Sequence, residues 1–345
     1  MPSGLLIRLR PTTPWRIGPV SGDRDRVDRI YHSDSLYSAV TGAMLRLGKL
    51  DEWLDATARA EHSAVRFSSC FPLYGDTLLV TPPRSAWPPP PSTKVRWKGA
   101  KFVPIEVVES LVAGRAIQED GWAIDTVSQC LVPIGNQPPQ GQATGPFRIS
   151  VRSSAAVDRV GNAVAPHSTA CLEFTPGSGL WMAAAFRDDE ARDEWTAPLT
   201  GALRLLADSG FGGERSRGWG RSEMPEIAAG ELSTLLLNAP SETGTESAWW
   251  MLSLYHPAVS EEVDWTRGNY EVTMRSGRVE SEAGWGQPKR ETRMVAEGSV
   301  LIAAREPQGS APDVAPENFA HPVYRSGFAL ALPIPLELGS KVRAS

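Results

Sequence analysis

The sequence contains few cysteines and no long apolar run. The three cysteines, Cys70, Cys130 and Cys171, are odd in number and widely spaced, which argues against a disulfide framework or a zinc site. Arg8 interrupts the apolar stretch that starts at Gly4, so the first residues lack the pattern of a signal peptide. No apolar run approaches the length of a membrane span. We expect a cytoplasmic protein with free thiols, no membrane contact and no metal.

Basic residues are outnumbered as well. The chain has 35 Lys and Arg against 40 Asp and Glu, a formal net charge of −5. This balance excludes a uniformly basic surface for nucleic acid, so any such site must be local. The sequence also has no paired-carboxylate motif, no nucleophile elbow and no His, Asp and Glu cluster with metal-ligand spacing. No sequence motif therefore supports a hydrolase or a metalloenzyme, and no cofactor is expected.

The length of 345 residues favours two domains. Branched residues predict strands at 4–10, 65–71 and 77–80. A helix is predicted to begin near Ser33 or Asp34, either of which can cap it, and to end at Gly48, where the left-handed conformation favours glycine. This helix is expected to pack on a sheet.

Residues 84–146 are predicted to form an insertion that packs poorly. Four consecutive prolines lie between positions 87 and 92, a Pro-, Gly- and Gln-rich stretch covers 133–146, and the pattern predicts a helix at 105–112. Residues 84–101 have no acidic residue, and Trp97 lies within them. This basic run is typical either of an RNA-binding segment or of a solvated surface, and it comprises Arg84, Lys94, Arg96, Lys98 and Lys101.

Alternation after the insertion predicts a hairpin. Residues 147–152 alternate between apolar and polar, a second strand is predicted at 169–174, and the tip is expected near Gly161 and Asn162. Arg148 and Arg152 lie on the same face of the first strand, with Ser150 between them. They can bridge successive phosphates, or they can belong to a solvated strand face.

Five glycines and three arginines lie within residues 210–221, directly after a helix that is predicted to end at Gly210. We call this segment the glycine loop. Glycines let backbone amides approach an anion, arginines give bidentate donors to phosphate, and Trp219 can stack on a base. The alternative is a helix cap followed by a solvated turn. Neither a nucleoside-triphosphate loop nor a dinucleotide fingerprint fits, because the spacing differs and the helix precedes the loop.

The glycine loop resembles that of the RAMP superfamily, the RRM-like RNA-binding proteins of CRISPR systems. Further segments resemble one branch, the subunit of type III-A Csm complexes that caps the 5′ handle of the guide RNA (crRNA). These segments are residues 31–39, 67–72, 78–83, 98–104, 148–154 and 321–325. The resemblance covers most of residues 4–225 and a short stretch near the C-terminus, whereas little matches between 226 and 319.

The resemblance implies an α+β protein with two RRM-like ferredoxin-fold domains. The first, residues 1–227, contains the insertion at 84–146 and a thumb hairpin at 147–174. The second, residues 228–345, is short on helices, and its strands are predicted near 249–255, 270–274, 299–304 and 328–333.

The resemblance also implies a non-catalytic subunit that caps the crRNA 5′ handle and joins the large polymerase-like subunit to the backbone RAMP subunit. The candidate RNA-binding residues come from the first-helix motif, the hairpin and the glycine loop. They are His32, Ser33, Arg148, Arg152, Gly212, Gly213, Arg215, Ser216, Arg217, Gly218, Trp219 and Arg221.

Three other functions stay open at this point. The first is the equivalent subunit of a Cmr-type complex. The second is a metal-independent CRISPR repeat endoribonuclease, for which His32 and His167 are the candidate acid or base. In such nucleases the glycine loop lies near the C-terminus, whereas here about 120 residues follow it. The third is a protein scaffold without RNA contact.

Overall fold

The computed structural model describes residues 2–19, 22–89, 96–136, 145–157, 164–237, 246–281 and 283–339. The helices are α1 (Ser33–Arg46), α2 (Leu50–Ala56), α3 (Ile105–Val112), α4 (Asp189–Ser209), α5 (Leu232–Leu235) and α6 (Leu336–Gly339). Within the described residues, no helix combines the length and apolar character needed to cross a membrane.

The strands of the first half are β1 (Ser3–Leu9), β2 (Val65–Phe67), β3 (Phe71–Tyr74), β4 (Thr77–Val80), β5 (Val103–Pro104), β6 (Trp122–Asp125), β7 (Cys130–Pro133), β8 (Phe147–Val157), β9 (Val164–Phe174), β10 (Gly179–Phe186) and β11 (Glu226–Glu231). Those of the second half are β12 (Ser247–Met251), β13 (Asp264–Asn269), β14 (Val272–Arg275), β15 (Thr292–Val295), β16 (Val300–Ala303) and β17 (Ala331–Ile334).

The first sheet has the strand order of a ferredoxin-like fold. Strand β1 lies between β11 and β10, and β10 also pairs with β2 and β3, all antiparallel. Helix α1 follows β1 and α4 follows β10, which completes the βαββαβ order. The predicted strand at 65–71 is interrupted, because residues 68–70 separate β2 from β3.

The second sheet repeats this order almost without helices. Its strands run β13-β16-β12-β17, and each neighbouring pair is antiparallel. Loops at 252–263 and 304–330 take the places that helices occupy in the first sheet. The predicted α+β class with two ferredoxin-like units, the second short on helices, is confirmed.

Helices α1 and α4 cover one face of the first sheet, and the second sheet covers the other. Buried residues from both sheets form one shared cluster, including Leu6 and Trp181 from the first and Trp250 and Ile302 from the second. The indole of Trp250 donates to the carbonyl of Thr81 at 3.1 Å. The two units therefore share a core, and burial of this apolar surface joins them.

Strand β11 pairs with β1 from Arg8↔Glu226 to Ser3↔Glu231. The expected division between residues 227 and 228 thus falls inside a strand. Leu232 and Leu237 are also buried against the shared cluster. The division into two domains stays a prediction, and we propose that its boundary lies beyond Leu237.

The insertion packs well, so the expectation of poor packing is wrong for its described residues, 84–89, 96–136 and 145–146. Trp97 is 1% exposed and stacks on Trp87 with ring centroids 5.6 Å apart. Helix α3 has the predicted bounds and buries Val107 and Val108. Apolar side chains at helical spacing form one face of this helix, and that face is buried. The expectation of poor packing came from the proline content, which does not prevent this burial.

The hairpin of β8 and β9 is confirmed. Its strands pair without interruption from Phe147↔Phe174 to Val157↔Val164. Phe147 and Leu172 anchor its base in the core, while Val157 and Val164 are exposed at its far end. The expected tip at Gly161 and Asn162 lies outside the described residues.

Candidate nucleic-acid interface

The glycine loop starts where α4 ends, at Gly210. Gly210, Gly212 and Gly220 have φ values of +99°, +72° and +81°. A Cβ at any of the three would collide with a backbone oxygen, of Trp219, Arg16 or Phe211 respectively. These glycines are therefore needed for the loop to fold on itself.

Gly213 and Gly218 differ in how far they are open to an anion. Gly213 donates its backbone N–H to the carbonyl of Arg16 at 2.9 Å. Gly218 has φ +78°, and a Cβ there would meet no atom within 4 Å. Three glycines of the loop are predicted to contact RNA: Gly212, Gly213 and Gly218. Of these, Gly218 has the most open surroundings.

An aromatic cluster fixes the loop from below. Phe211 is 1% exposed and stacks on Trp15 with ring centroids 5.2 Å apart, and Tyr31 meets its edge. Since aromatic pairs add to the stability that burial alone provides, this cluster makes the loop a fixed platform.

The side chains above this platform are polar. Arg215, Ser216 and Arg217 form a 3-10 turn and are exposed, as is Arg221. Arg215 pairs with Glu280, and Arg217 lies 3.1 Å from Glu214. These arginines are placed to reach phosphates from solvent. Trp219 is only half-buried, so part of its surface is accessible.

Arg148 and Arg152 share one carboxylate on the hairpin face. Glu173 accepts from Arg148 at 2.8 Å and from Ser150 at 2.9 Å, and it also pairs with Arg152. Burial would raise the pKa of Glu173, but the hydrogen bonds of the two arginines lower it to about 2. Two guanidinium groups against one carboxylate leave a net positive charge on this face.

Arg217 joins the glycine loop to the hairpin. Its guanidinium lies 3.0 Å from Nε2 of His167 and 3.4 Å from Oγ of Ser154, a directly paired couple on β9 and β8. Arg148 and Arg152 continue along the same hairpin face. The structure therefore brings two of the predicted groups together in one basic strip, which we define as Arg148, Arg152, Arg215, Arg217 and Arg221.

The first-helix motif lies elsewhere, inside the protein. Ser33 is 2% exposed, its N–H donates to Oγ of Ser69 at 2.9 Å, and its Oγ accepts from Leu254 N–H at 3.0 Å. His32 contacts Glu297 at 2.8 Å and Asp28 at 3.2 Å. Because the polar atoms of both residues have partners within the protein, they join the two halves of the chain and do not line the strip.

The two carboxylates keep His32 charged. Burial would lower its pKa, but Glu297 and Asp28 raise it to about 10. Burial would likewise raise the pKa of Asp28, yet the hydrogen bond and charge of His32 lower it to about 2. His32 occupies the N-cap position of α1 without a side-chain cap. The expectation that Ser33 or Asp34 caps the helix is therefore wrong.

Asp34 has another partner set. Its carboxylate accepts from Arg275 at 3.0 and 2.8 Å and from Arg325 at 2.6 Å, and all three residues are buried. Burial opposes ionisation, but the two guanidinium groups hold the pKa of Asp34 below its usual range. The motif at 321–325 contained a signal for Arg325, whereas nothing in the sequence pointed to Arg275.

The basic run in the insertion is not a continuous binding surface. Arg84 pairs with Glu271 at 2.6 Å and Arg96 with Asp120 at 3.1 Å. The interpretation of Trp97 as part of an exposed segment is wrong because its ring is buried. Lys98 and Lys101 are exposed, and Lys94 lies outside the described residues.

Cys70, Cys130 and Cys171 are free and buried, which confirms the expectation of free thiols. Among the residues that the structure describes, no group of three His, Cys, Asp or Glu side chains is placed to hold a metal ion.

The chain thus combines two ferredoxin-like sheets with a glycine-rich loop after the second helix of the first sheet. Residues 245–334 match the family model described as CRISPR Csm4 C-terminal domain. A chain of the Csm3-Csm4 subcomplex in the type III-A CRISPR-Cas interference complex is similar, with 15% identity, a TM-score of 0.64, and coverage of 96% of this chain and 99% of that one.

A chain of the Csm1-Csm4 cassette crystallised with cA4 is also similar, with 18% identity, a TM-score of 0.57 and full coverage of both chains. Csm4 is the component that the two complexes share. A search of curated proteins finds no match to the sequence. The C-terminal part of the chain therefore matches a Csm4 domain, and the fold of the whole chain is similar to that of chains in the two Csm4 complexes.

Proposed function

We propose that this chain is the RNA-binding subunit of a type III-A CRISPR effector complex, and that it caps the 5′ handle of the crRNA. The observation that carries the proposal is the contact of Arg217 with His167 and Ser154, which makes the loop and hairpin arginines one strip. A local strip of this kind gives an acidic protein a phosphate-binding surface, because affinity depends on the phosphates actually contacted.

The partners follow from the similar structures. Their complexes pair Csm4 with Csm1 in one case and Csm3 in the other. We infer that this chain likewise joins a Csm1-type large subunit to a Csm3-type backbone subunit. The shared core of its two sheets supports such a linking role, since it makes the chain one firm body.

We further propose that the subunit is not a catalyst. His32, one candidate acid or base, is enclosed by two carboxylates that keep it protonated near neutral pH. His167, the other, lies 3.0 Å from the guanidinium of Arg217, which can hold a phosphate beside it. Purified chain incubated with repeat RNA in the absence of metal is expected to leave the RNA intact, and specific cleavage would revive the nuclease alternative.

Charge reversal in the strip tests the RNA role. Complexes with Arg217→Glu and Arg221→Glu together are expected to assemble but to lose repeat-derived RNA 5′ ends. The matched control is Arg204→Glu, an exposed arginine on α4 outside the strip. Unchanged RNA retention in an assembled complex would favour the scaffold alternative.

A further inference from the structure

A second hairpin lies beside the glycine loop and comes from the other half of the chain. Its described residues are 278–281 and 283–288, and we call it the Trp285 hairpin. Arg278 and Pro288 form a bridge at its base, Val279 N–H donates to Gln287 O at 2.8 Å, and Gly286 N–H donates to Val279 O at 3.0 Å. These hydrogen bonds close a tight turn that presents residue 285.

The hairpin is held in place on two sides. Val279 is 3% exposed, and Oγ of Ser281 lies 2.8 Å from Nε2 of His321. On the other side, Glu280 pairs with Arg215 of the glycine loop. The Trp285 hairpin is therefore positioned next to the basic strip.

Trp285 is 70% exposed at this position, whereas six other tryptophans are fully buried. A solvent-exposed indole lacks the large stabilising free energy that burial in the core would give it. Because hydrogen bonds and contacts also fix this turn, the exposure of Trp285 indicates a binding site for a ligand. Polar side chains flank Trp285 on the hairpin, namely Arg278, whose guanidinium donates to Gly286 O at 2.7 Å, and exposed Gln287, while the preceding Gly284 lies against the ring of Phe319. A protein-docking surface would instead present contiguous apolar side chains.

We propose that Trp285 stacks on a base of the RNA whose phosphates the glycine-loop arginines hold. The proposal rests on the proposed function and extends it to the C-terminal half of the chain. A single-stranded nucleic acid is gripped by cations along its backbone and by aromatic rings on its bases, and here Arg215 and Trp285 provide one of each. Stacking needs no particular base, so Trp285 would add affinity without sequence readout.

The test measures equilibrium binding of the full chain to single-stranded RNA that carries the repeat-derived 5′ handle. Trp285→Ala is expected to weaken binding by about tenfold, and Trp285→Phe to retain most of the affinity, because an aromatic ring is restored. The slope of affinity against salt should stay unchanged in both, since no phosphate contact is lost. Val259→Ala, a change at a fully exposed apolar residue, is the control.

RNAs with one abasic nucleotide at each successive position locate the stacked base. The proposal predicts one position where removal of the base weakens wild type by about tenfold but leaves Trp285→Ala unaffected. Equal binding of Trp285→Ala and wild type would overturn it, as would abasic effects that are the same in both proteins. Loss of complex assembly with unchanged RNA affinity would assign Trp285 to a protein contact and would also overturn it.

These measurements distinguish a failure of the stacking proposal from a failure of the proposed RNA-binding function. If wild type binds and Arg217→Glu weakens binding while Trp285→Ala does not, only the stacking proposal is wrong. If wild type does not bind the RNA, or Arg217→Glu has no effect, the RNA site itself is wrong.

Discussion

Arg217 of the glycine loop and His167 of the hairpin lie 3.0 Å apart, although 50 residues separate them in the chain. Around this contact, arginines from two segments face solvent on neighbouring surfaces. The phosphate path that we propose runs across this junction, so its charge balance decides the affinity.

Glu173 sets that balance on the hairpin. Because its carboxylate occupies Arg148 and Arg152, it competes with phosphate. Glu173→Gln is expected to raise affinity for handle RNA about threefold or more and to steepen the salt dependence by about 0.7 per phosphate gained. Fluorescence anisotropy at several salt concentrations measures both. Glu52→Gln, an exposed carboxylate on α2, should change neither, and weaker binding of Glu173→Gln would show that Glu173 positions the arginines instead.

Asp34 on α1 is joined by buried charge to two arginines of the second half of the chain. Asp34→Ala leaves Arg275 and Arg325 buried without their carboxylate, which is expected to cost about 3–5 kcal/mol of unfolding free energy. Asp55→Ala removes a carboxylate that is 66% exposed in its pair with Arg59, and it should cost about 1 kcal/mol or less. Urea denaturation compares the two, and equal costs would contradict the structural role of Asp34.

His32 makes stability depend on pH. Its pKa rises from an ordinary 6.5 to about 10 in the folded chain, so its contribution is complete below pH 6.5 and is lost as pH rises towards 10. The slope is at most about 1.4 kcal/mol per pH unit. Wild type should lose stability across this range faster than His32→Gln. The matched control is His62→Gln, which replaces an exposed histidine in the same way.

Gly220 and Gly218 separate two reasons for glycine in the loop. Both have a left-handed φ, so alanine at either is expected to cost about 1–2 kcal/mol. At Gly220 the new Cβ would also collide with Phe211, adding about 1–3 kcal/mol, whereas at Gly218 it would meet open space. Denaturation midpoints measure the difference. Equal losses of stability in the two variants would show that the backbone near Phe211 moves easily to accommodate the new Cβ.

The sequence predicted those parts of the fold where local pattern and burial agree. Helix α3 and the pairing of β8 with β9 follow from apolar periodicity, which a buried face imposes. Strand β11 was missed because its residues are small or polar and lie at a sheet edge, where little burial is required.

The site was predictable only in part. Arginines in a glycine-rich segment identified the exposed side of the loop, since the residue types themselves favour phosphate. Glu297, which contacts His32, and Arg275, which binds Asp34, are each more than 200 residues away from these partners, so no local pattern reveals them. Trp285 escaped notice for a related reason, because its relation to the loop depends on the long-range pair of Arg215 and Glu280.

The most direct test of the central claim is crosslinking within complexes purified from cells through a tagged copy of this chain. RNA that co-purifies would be sequenced, and crosslinked peptides would be mapped. The account predicts repeat-derived 5′ ends crosslinked to peptides within residues 210–221 and 147–157. A chain that purifies without RNA, or RNA crosslinks confined to other subunits, would contradict it.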